Sequence, residues 1–326
     1  MNNIDVIIKP RYQEIDIYRG WAILLIMLGH SFCEFPVNLK AEFMPFPHYL
    51  VVFNLNMFFL ISGVLFSVKG SWKDFFSKKF KRLMLPWLFF VVLSITMRSI
   101  AGSFTHSQIG SIPKELFLAL TTAKYYWFLY VLFIMMLMAR LLHNKYAIAV
   151  VGGAFLIMST IGIKSTWNAL LLNRIIVYFP YFVVGMLIKE RYAEIRKYVE
   201  KRLWLFTIMS VLILLFIVYC MYTGLFERIH FVVPFSICST LWVLSVSFSS
   251  IVKNEKVFSY FGFYSLQYYL NHLLIMLLCF YAGAFFFNRS SLLSLIVVYM
   301  LALILSTIML QVEKRLSWLR FLCGFN

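Results

Sequence analysis

Charge is scarce in this chain. Only 13% of its 326 residues are Asp, Glu, Lys or Arg, about half the share of an ordinary soluble protein. Acid is scarcest: 13 Asp and Glu stand against 30 Lys and Arg, for a formal net charge of +17. Disordered chains are poor in aromatics, and a 19% aromatic content excludes that class. Close cysteine pairs are missing as well. Cys33, Cys220, Cys238, Cys279 and Cys323 show no CxxC spacing, and four of them sit inside apolar runs, where a thiol behaves as a small hydrophobe. The spacing therefore predicts neither a disulfide framework nor a metal site. Apolar–polar alternation, the mark of a membrane β-barrel, is absent too.

Long apolar runs take the place of these features. Hydrophobic residues make up 62% of the sequence, against about 45–50% in a soluble chain. A spanning helix needs about 20 mainly apolar residues. Ten such runs occur, near 17–35, 48–67, 83–101, 125–142, 146–163, 169–188, 203–222, 230–251, 265–287 and 292–312. Leu116–Ala123 is too short to cross and reads as interfacial or re-entrant. The first run continues beyond 15 residues with no small-residue cleavage pattern behind it, unlike a signal peptide. The expectation is an all-α integral membrane protein, one polytopic domain over 1–326, with no fused soluble domain.

The excess of cations could be mistaken for a nucleic-acid surface, but the cations cluster between the apolar runs. With the N-terminus in the cytoplasm, 22 Lys and Arg fall on inner segments and seven on outer ones, while Arg98 lies within a span. This bias follows the positive-inside rule. It supports ten crossings of a plasma membrane with both termini cytoplasmic, a lipid environment and no nucleic-acid partner. The oligomeric state stays open, a homo-oligomer included.

Ionisable residues within spans are costly and are functional candidates by default. The first run has the densest set: Asp16, Arg19, His30 and Glu34. Arg19 and His30 are eleven residues apart, so eleven steps of 100° bring them within about 20° of one stripe and about 16 Å apart along the axis. Glu34 follows His30 at the i+4 position, where helical side chains meet and a carboxylate can orient an imidazole. Asp16 suits a helix start and can pair with Arg19. Lys79 and Arg82, at i,i+3 ahead of the third run, are placed to grip phosphate together. The equally basic Lys189–Arg202 loop carries Glu190, Glu194 and Glu200 and reads as a solvated linker.

These residues also form a pattern. Ile15-Asp16-Ile17-Tyr18-Arg19-Gly20-Trp21, continuing to Gly29-His30, resembles the first-helix signature of the membrane-bound acyltransferase-3 family, an Arg followed after ten residues by a His. Met57–Gly63 (MFFLISG) resembles its FFxISG stretch, Lys79–Arg82 before Pro86 its RxxR…P element, Trp127-Phe128-Leu129 its WFL, and Ser265–His272 its late S…YxxH segment. Lys79 stands where the family pattern has Arg; it keeps the charge but lacks the planar fork. Within the family, the fucose 4-O-acetylase-like sugar acetylases are the most similar in character.

The resemblance implies O-acyl transfer, with acetyl-CoA as donor and co-substrate and a sugar or polysaccharide hydroxyl as acceptor. Arg19, Lys79 and Arg82 are then expected to bind the donor, and His30 to act as base or nucleophile with Glu34 beside it. Trp127, Tyr269 and His272 are expected to contact substrate, and no metal is implied. A transporter or flippase for lipid-linked sugars or small solutes is the alternative, and its hallmark would be helices broken near the midplane.

Overall fold

The computed structural model describes residues 12–34, 46–101, 111–162, 169–223, 225, 232–286 and 292–325, with only the backbone described at 33–34, 46–53, 101, 169–170, 222, 280–286 and 292–294. Among these residues there is no strand. The chain runs α1 (Gln13–Glu34), α2 (Phe46–Val64), α3 (Trp72–Lys79), a π-helical turn (Phe80–Met84) and α4 (Leu85–Ala101). It continues through α5 (Ile112–Thr122), α6 (Trp127–Leu142), α7 (Lys145–Thr160), α8 (Ala169–Lys189), α9 (Tyr192–Lys201) and α10 (Leu203–Thr223). Last come α11 (Val233–Ile251), α12 (Val257–Phe263), α13 (Ser265–Phe286), α14 (Leu292–Arg315) and α15 (Ser317–Leu322).

Each apolar run is helical over most of its described residues. Among the described residues, six stretches are long and apolar enough to cross a membrane: Trp72–Ile100, Ile112–Leu142, Leu171–Lys189, Leu203–Met221, Val233–Ile251 and Leu295–Arg315. Leu116–Ala123 belongs to a longer element than expected, the helix α5, which starts at Ile112. The turn between α5 and α6 needs left-handed backbone at Ala123 (φ 53°) and Tyr126 (φ 47°), unusual for non-glycine residues. Two carbonyl contacts fix it: Trp87 Nε1 donates to Tyr125 O at 3.0 Å, and Arg174 Nη1 to Ala123 O at 2.8 Å.

The hub of the bundle is α1, which packs on α2, α11, α12, α13 and α14. Two of the helix crossings are set by reciprocal glycines. A Cβ on Gly20 would lie 2.1 Å from Phe258 O, and one on Gly262 would lie 1.7 Å from Asp16 O, so α1 and α12 touch backbone to backbone. Gly63 and Gly185 do the same for α2 and α8, each 2.0 Å from the opposing carbonyl. Small residues permit such approach where helices pack without a water-driven force. The glycine of the FFLISG stretch is thus a packing device. By contrast α10 is apolar all round and mostly exposed, as a lipid-facing helix at the edge of a bundle should be.

At the N-terminal end of α1 the carboxylate of Glu14 is buried. Tyr192 donates to it at 3.3 Å, and Arg196 Nε stands 2.8 Å away as a close charge contact outside hydrogen-bond geometry. Trp242 Nε1 donates in turn to Tyr192 at 3.0 Å. This chain of contacts ties α1 to α9 and α11, so the basic linker, read as solvated, has one face built into the bundle.

Candidate active site

One long cavity, with room for water over about 160 Å³, opens between α1, α2, the π turn, α6 and α13. On α2 it touches Leu55, Phe58, Ile61, Ser62 and Leu65. Ten residues of helix separate the ends of that row, so the cavity follows α2 for about 15 Å. Leu129, Leu132 and Met136 form the facing wall on α6. The apolar lining is interrupted by Arg19, Lys79, Arg82, Ser265 and Tyr269. All three expected donor-binding cations therefore meet in one place.

Each cation is held there by local structure. Arg19 Nη2 donates to Ser265 Oγ at 2.8 Å, and Ser265 opens α13 just beyond the α12 segment that Gly262 locks against α1. Lys79 stands at the start of the π turn and Arg82 within it, and this single wide turn interrupts the helical ladder, a feature frequent at functional sites. Without it, α3 and α4 would form one regular helix with a different phase between these cations and the apolar face of α4.

Tyr269 lines the cavity. Its ring centre is 5.4 Å from Phe128 and 5.8 Å from His272. Behind it, the His272 and His30 rings lie 5.2 Å apart. His272 is fully buried, its Nδ1 3.1 Å from Tyr268 O, and its Nε2 has no hydrogen-bond partner. A carbonyl can only accept, so the hydrogen-bond network assigns the proton to Nδ1 and leaves a lone pair on Nε2. His30 itself is not part of the cavity wall; Tyr269 and His272 stand in sequence between the cavity and His30.

The remaining expected residues are placed differently. Glu34 ends α1, but its side chain lies outside the described residues. Trp127 is outside the cavity lining, in a stack with Arg174 (4.4 Å to the ring centre) and Tyr178 (5.2 Å). Among the described residues no three His, Cys, Asp or Glu side chains gather as metal ligands. Sequence reading missed Ser62 and Ser265 as cavity residues, although both lie inside the motifs it quoted. It also counted Arg140 as an orienting charge. Arg140 is buried, sits 4.9 Å and 4.8 Å from the Trp72 and Phe75 ring centres, and donates to Gly70 O at 2.9 Å.

A family model described as an acyltransferase domain matches residues 12–311. The chain belongs to the acyltransferase-3 family. No curated protein and no solved structure gives a match. The matched region of this acyltransferase contains every cavity residue, including the cations on α1 and the π turn and the histidines on α1 and α13. It is a membrane acyltransferase, with multiple apolar helices around an open cavity that three cations line.

Proposed function

We propose that this protein transfers an acetyl group from cytoplasmic acetyl-CoA to a hydroxyl of a cell-surface or lipid-linked sugar or polysaccharide. In this reading the chain crosses the plasma membrane ten times with both termini in the cytoplasm, and the fucose 4-O-acetylase-like branch is its place in the family. The convergence of Arg19, Lys79 and Arg82 on one cavity that then runs apolar along α2 carries the proposal. Cations at the mouth suit the phosphates of the coenzyme, and an apolar bore suits an extended arm with a thioester at its tip.

The chemistry is balanced by a single base. His30 takes the proton of the acceptor hydroxyl. The oxygen attacks the thioester carbonyl carbon, the C–S bond breaks, and the leaving thiolate takes up a proton to give free coenzyme thiol and the O-acetyl ester. The unpartnered His272 Nε2, beside the His30 ring, offers the lone pair to which the N–H of His30 turns when substrate enters, and that turn aims the other nitrogen of His30 at the acceptor. A nucleophilic His30 that first carries the acetyl group is the variant mechanism. Glu34, one turn further along α1, is proposed to orient His30, Tyr269 acts as the gate that moves when the donor arm enters, and Trp127 contributes an aromatic face toward the acceptor.

Membranes bearing the protein, supplied with labelled acetyl-CoA and a cell-surface glycan, test this directly. Label should reach the glycan, and His30→Ala should reduce transfer at least ~10³-fold, as expected for loss of a positioned base. Full transfer by His30→Ala would refute the assignment. Movement of a sugar lipid across the membrane with no acyl donor present would favour transport.

A further inference from the structure

Tyr126, at the turn between α5 and α6, is only 3% exposed, and its buried hydroxyl has no hydrogen-bond partner. A hydrogen bond left unmade in the interior costs stability and is rare in native structures. The backbone at this residue is costly too. Tyr126 is the N-cap of α6 with φ 47° and ψ 36°, a left-handed conformation that a bulky side chain seldom adopts. Such backbone gathers at active sites, where the surrounding structure enforces it. The enforcing contacts here lie just ahead of Tyr126, where Trp87 donates to Tyr125 O and Arg174 to Ala123 O.

This turn also leaves the start of α6 open. An N-cap side chain ordinarily accepts from the first helical turn, but the Tyr126 phenol makes no such bond. Leu129 N–H turns back to Tyr126 O at 3.2 Å. The amides of Trp127 and Phe128 come too early to find a carbonyl within the helix. Phe128 N–H donates instead to the hydroxyl oxygen of Tyr269, whose ring stands edge-on to that of Tyr126 with centres 6.1 Å apart. Phe128 and Tyr269 both line the cavity, and Tyr269 adjoins His272 and through it His30. A helix N-terminus favours negative charge. At the start of α6 one oxygen therefore already accepts from the backbone, close to a buried hydroxyl with its bond unmade.

We propose that Tyr126 O–H and Phe128 N–H form the oxyanion site of the transfer reaction, and that the Tyr269 oxygen occupies the place of the thioester carbonyl oxygen until the donor arm displaces it. The proposal rests on the function proposed above, with His30 as base, and deepens it by adding a catalytic residue. When the acceptor oxygen attacks, a C–O bond forms, the carbonyl π pair moves onto the thioester oxygen, and the acceptor's proton passes to His30. Tyr126 donates a hydrogen bond to that oxygen and keeps its own proton. Collapse restores the C=O bond and breaks C–S, and the leaving thiolate takes the proton from His30. The Tyr126 hydroxyl is thus satisfied only once negative charge has developed, which lowers the barrier without tightening ground-state binding.

Tyr126→Phe removes one oxygen and keeps the ring. The full chain in membranes is supplied with a glycan acceptor and with acetyl-CoA or longer acyl-CoA thioesters, and release of free thiol and labelling of the glycan are followed. The variant should lose about 10²–10³-fold in kcat with donor KM nearly unchanged. It should melt no lower than wild type, because an unpartnered hydroxyl contributes nothing to the folded state. Tyr269→Phe, which removes the competing oxygen, should lower the donor KM. Wild-type kcat in Tyr126→Phe overturns the oxyanion site and leaves the transferase reading standing. So does a fall in melting temperature, which gives the hydroxyl a structural partner, and so does an undiminished donor KM in Tyr269→Phe. Transfer of a longer acyl group but not of acetyl sinks the acetyl assignment, while the same loss in Tyr126→Phe with that donor upholds the site. Wild type that transfers from no thioester sinks both.

Discussion

A histidine in a helix interior has two nitrogens to satisfy, and its neighbours decide which one is left to act. For His272 the nearest partner is the carbonyl one turn back, which leaves Nε2 buried, unpartnered and close to the His30 ring. In the proposed mechanism His272 is a positioning residue for His30. His272→Ala should lower kcat about 10–100-fold with little change in donor KM, and should shift the limb of the pH profile that reports His30. His272→Asn, which restores an acceptor, should recover part of the rate. A wild-type kcat and pH profile in His272→Ala would mean that the pair is only packed together. The Arg19–His30 stripe was legible in sequence because helical geometry fixes positions eleven residues apart. A partner for His30 was sought at the next turn, Glu34, because a sequence exposes only neighbours within one helix. His272 comes from a helix more than two hundred residues later, and only packing reveals that approach.

At the scale of the element, the decisive features are interruptions. Helical content could be read from long apolar runs, whereas the π turn at Phe80–Met84 could not: its residues have ordinary helix propensities, and Pro86 alone hints at a change. The same holds for Arg140. A cation near the cytoplasmic end of a span reads as an orienting charge, and nothing local shows that Trp72 and Phe75 will enclose it. That enclosure fixes the start of α3, and α3 ends at Lys79. Arg140→Ala removes two ring contacts and leaves Gly70 O without its donor, a loss of about 3 kcal/mol. It should raise donor KM more than it lowers kcat, and Arg140→Lys should restore part of the stability. Equal kinetics in Arg140→Ala and wild type would separate α3 from the phosphate clamp. The α1–α12 crossing makes a harsher prediction. A methyl group at Gly262 has no room beside Asp16 O, so Gly262→Ala must push the helices apart. The cost exceeds the ~1–3 kcal/mol usual for overpacking, and the expected readout is a strong fall in folded protein by thermal melting in detergent.

For the whole molecule, composition and charge bias reach furthest. The apolar runs identified the helices, and by the positive-inside rule the distribution of 22 against seven cations predicts which way they face. How the helices assemble was not legible, because a uniformly apolar helix such as α10 has no face that says what it packs against. Orientation can be tested with the protein's own chemistry. Cys220, Cys238, Cys279 and Cys323 are buried, so in a Cys33→Ser background an added surface cysteine should dominate labelling by a membrane-impermeant maleimide. Lys114 and Lys253 are both exposed, at the start of α5 and just after α11. With both termini cytoplasmic, Lys114→Cys should label in intact cells, and Lys253→Cys only after permeabilisation. The reverse pattern would place the π turn and Arg19 on the outer side, away from any cytoplasmic coenzyme, and the donor assignment would fall with the topology. Labelling of both positions in intact cells would break the alternation of spans between them, and the count of ten crossings would need revision before any residue was reassigned.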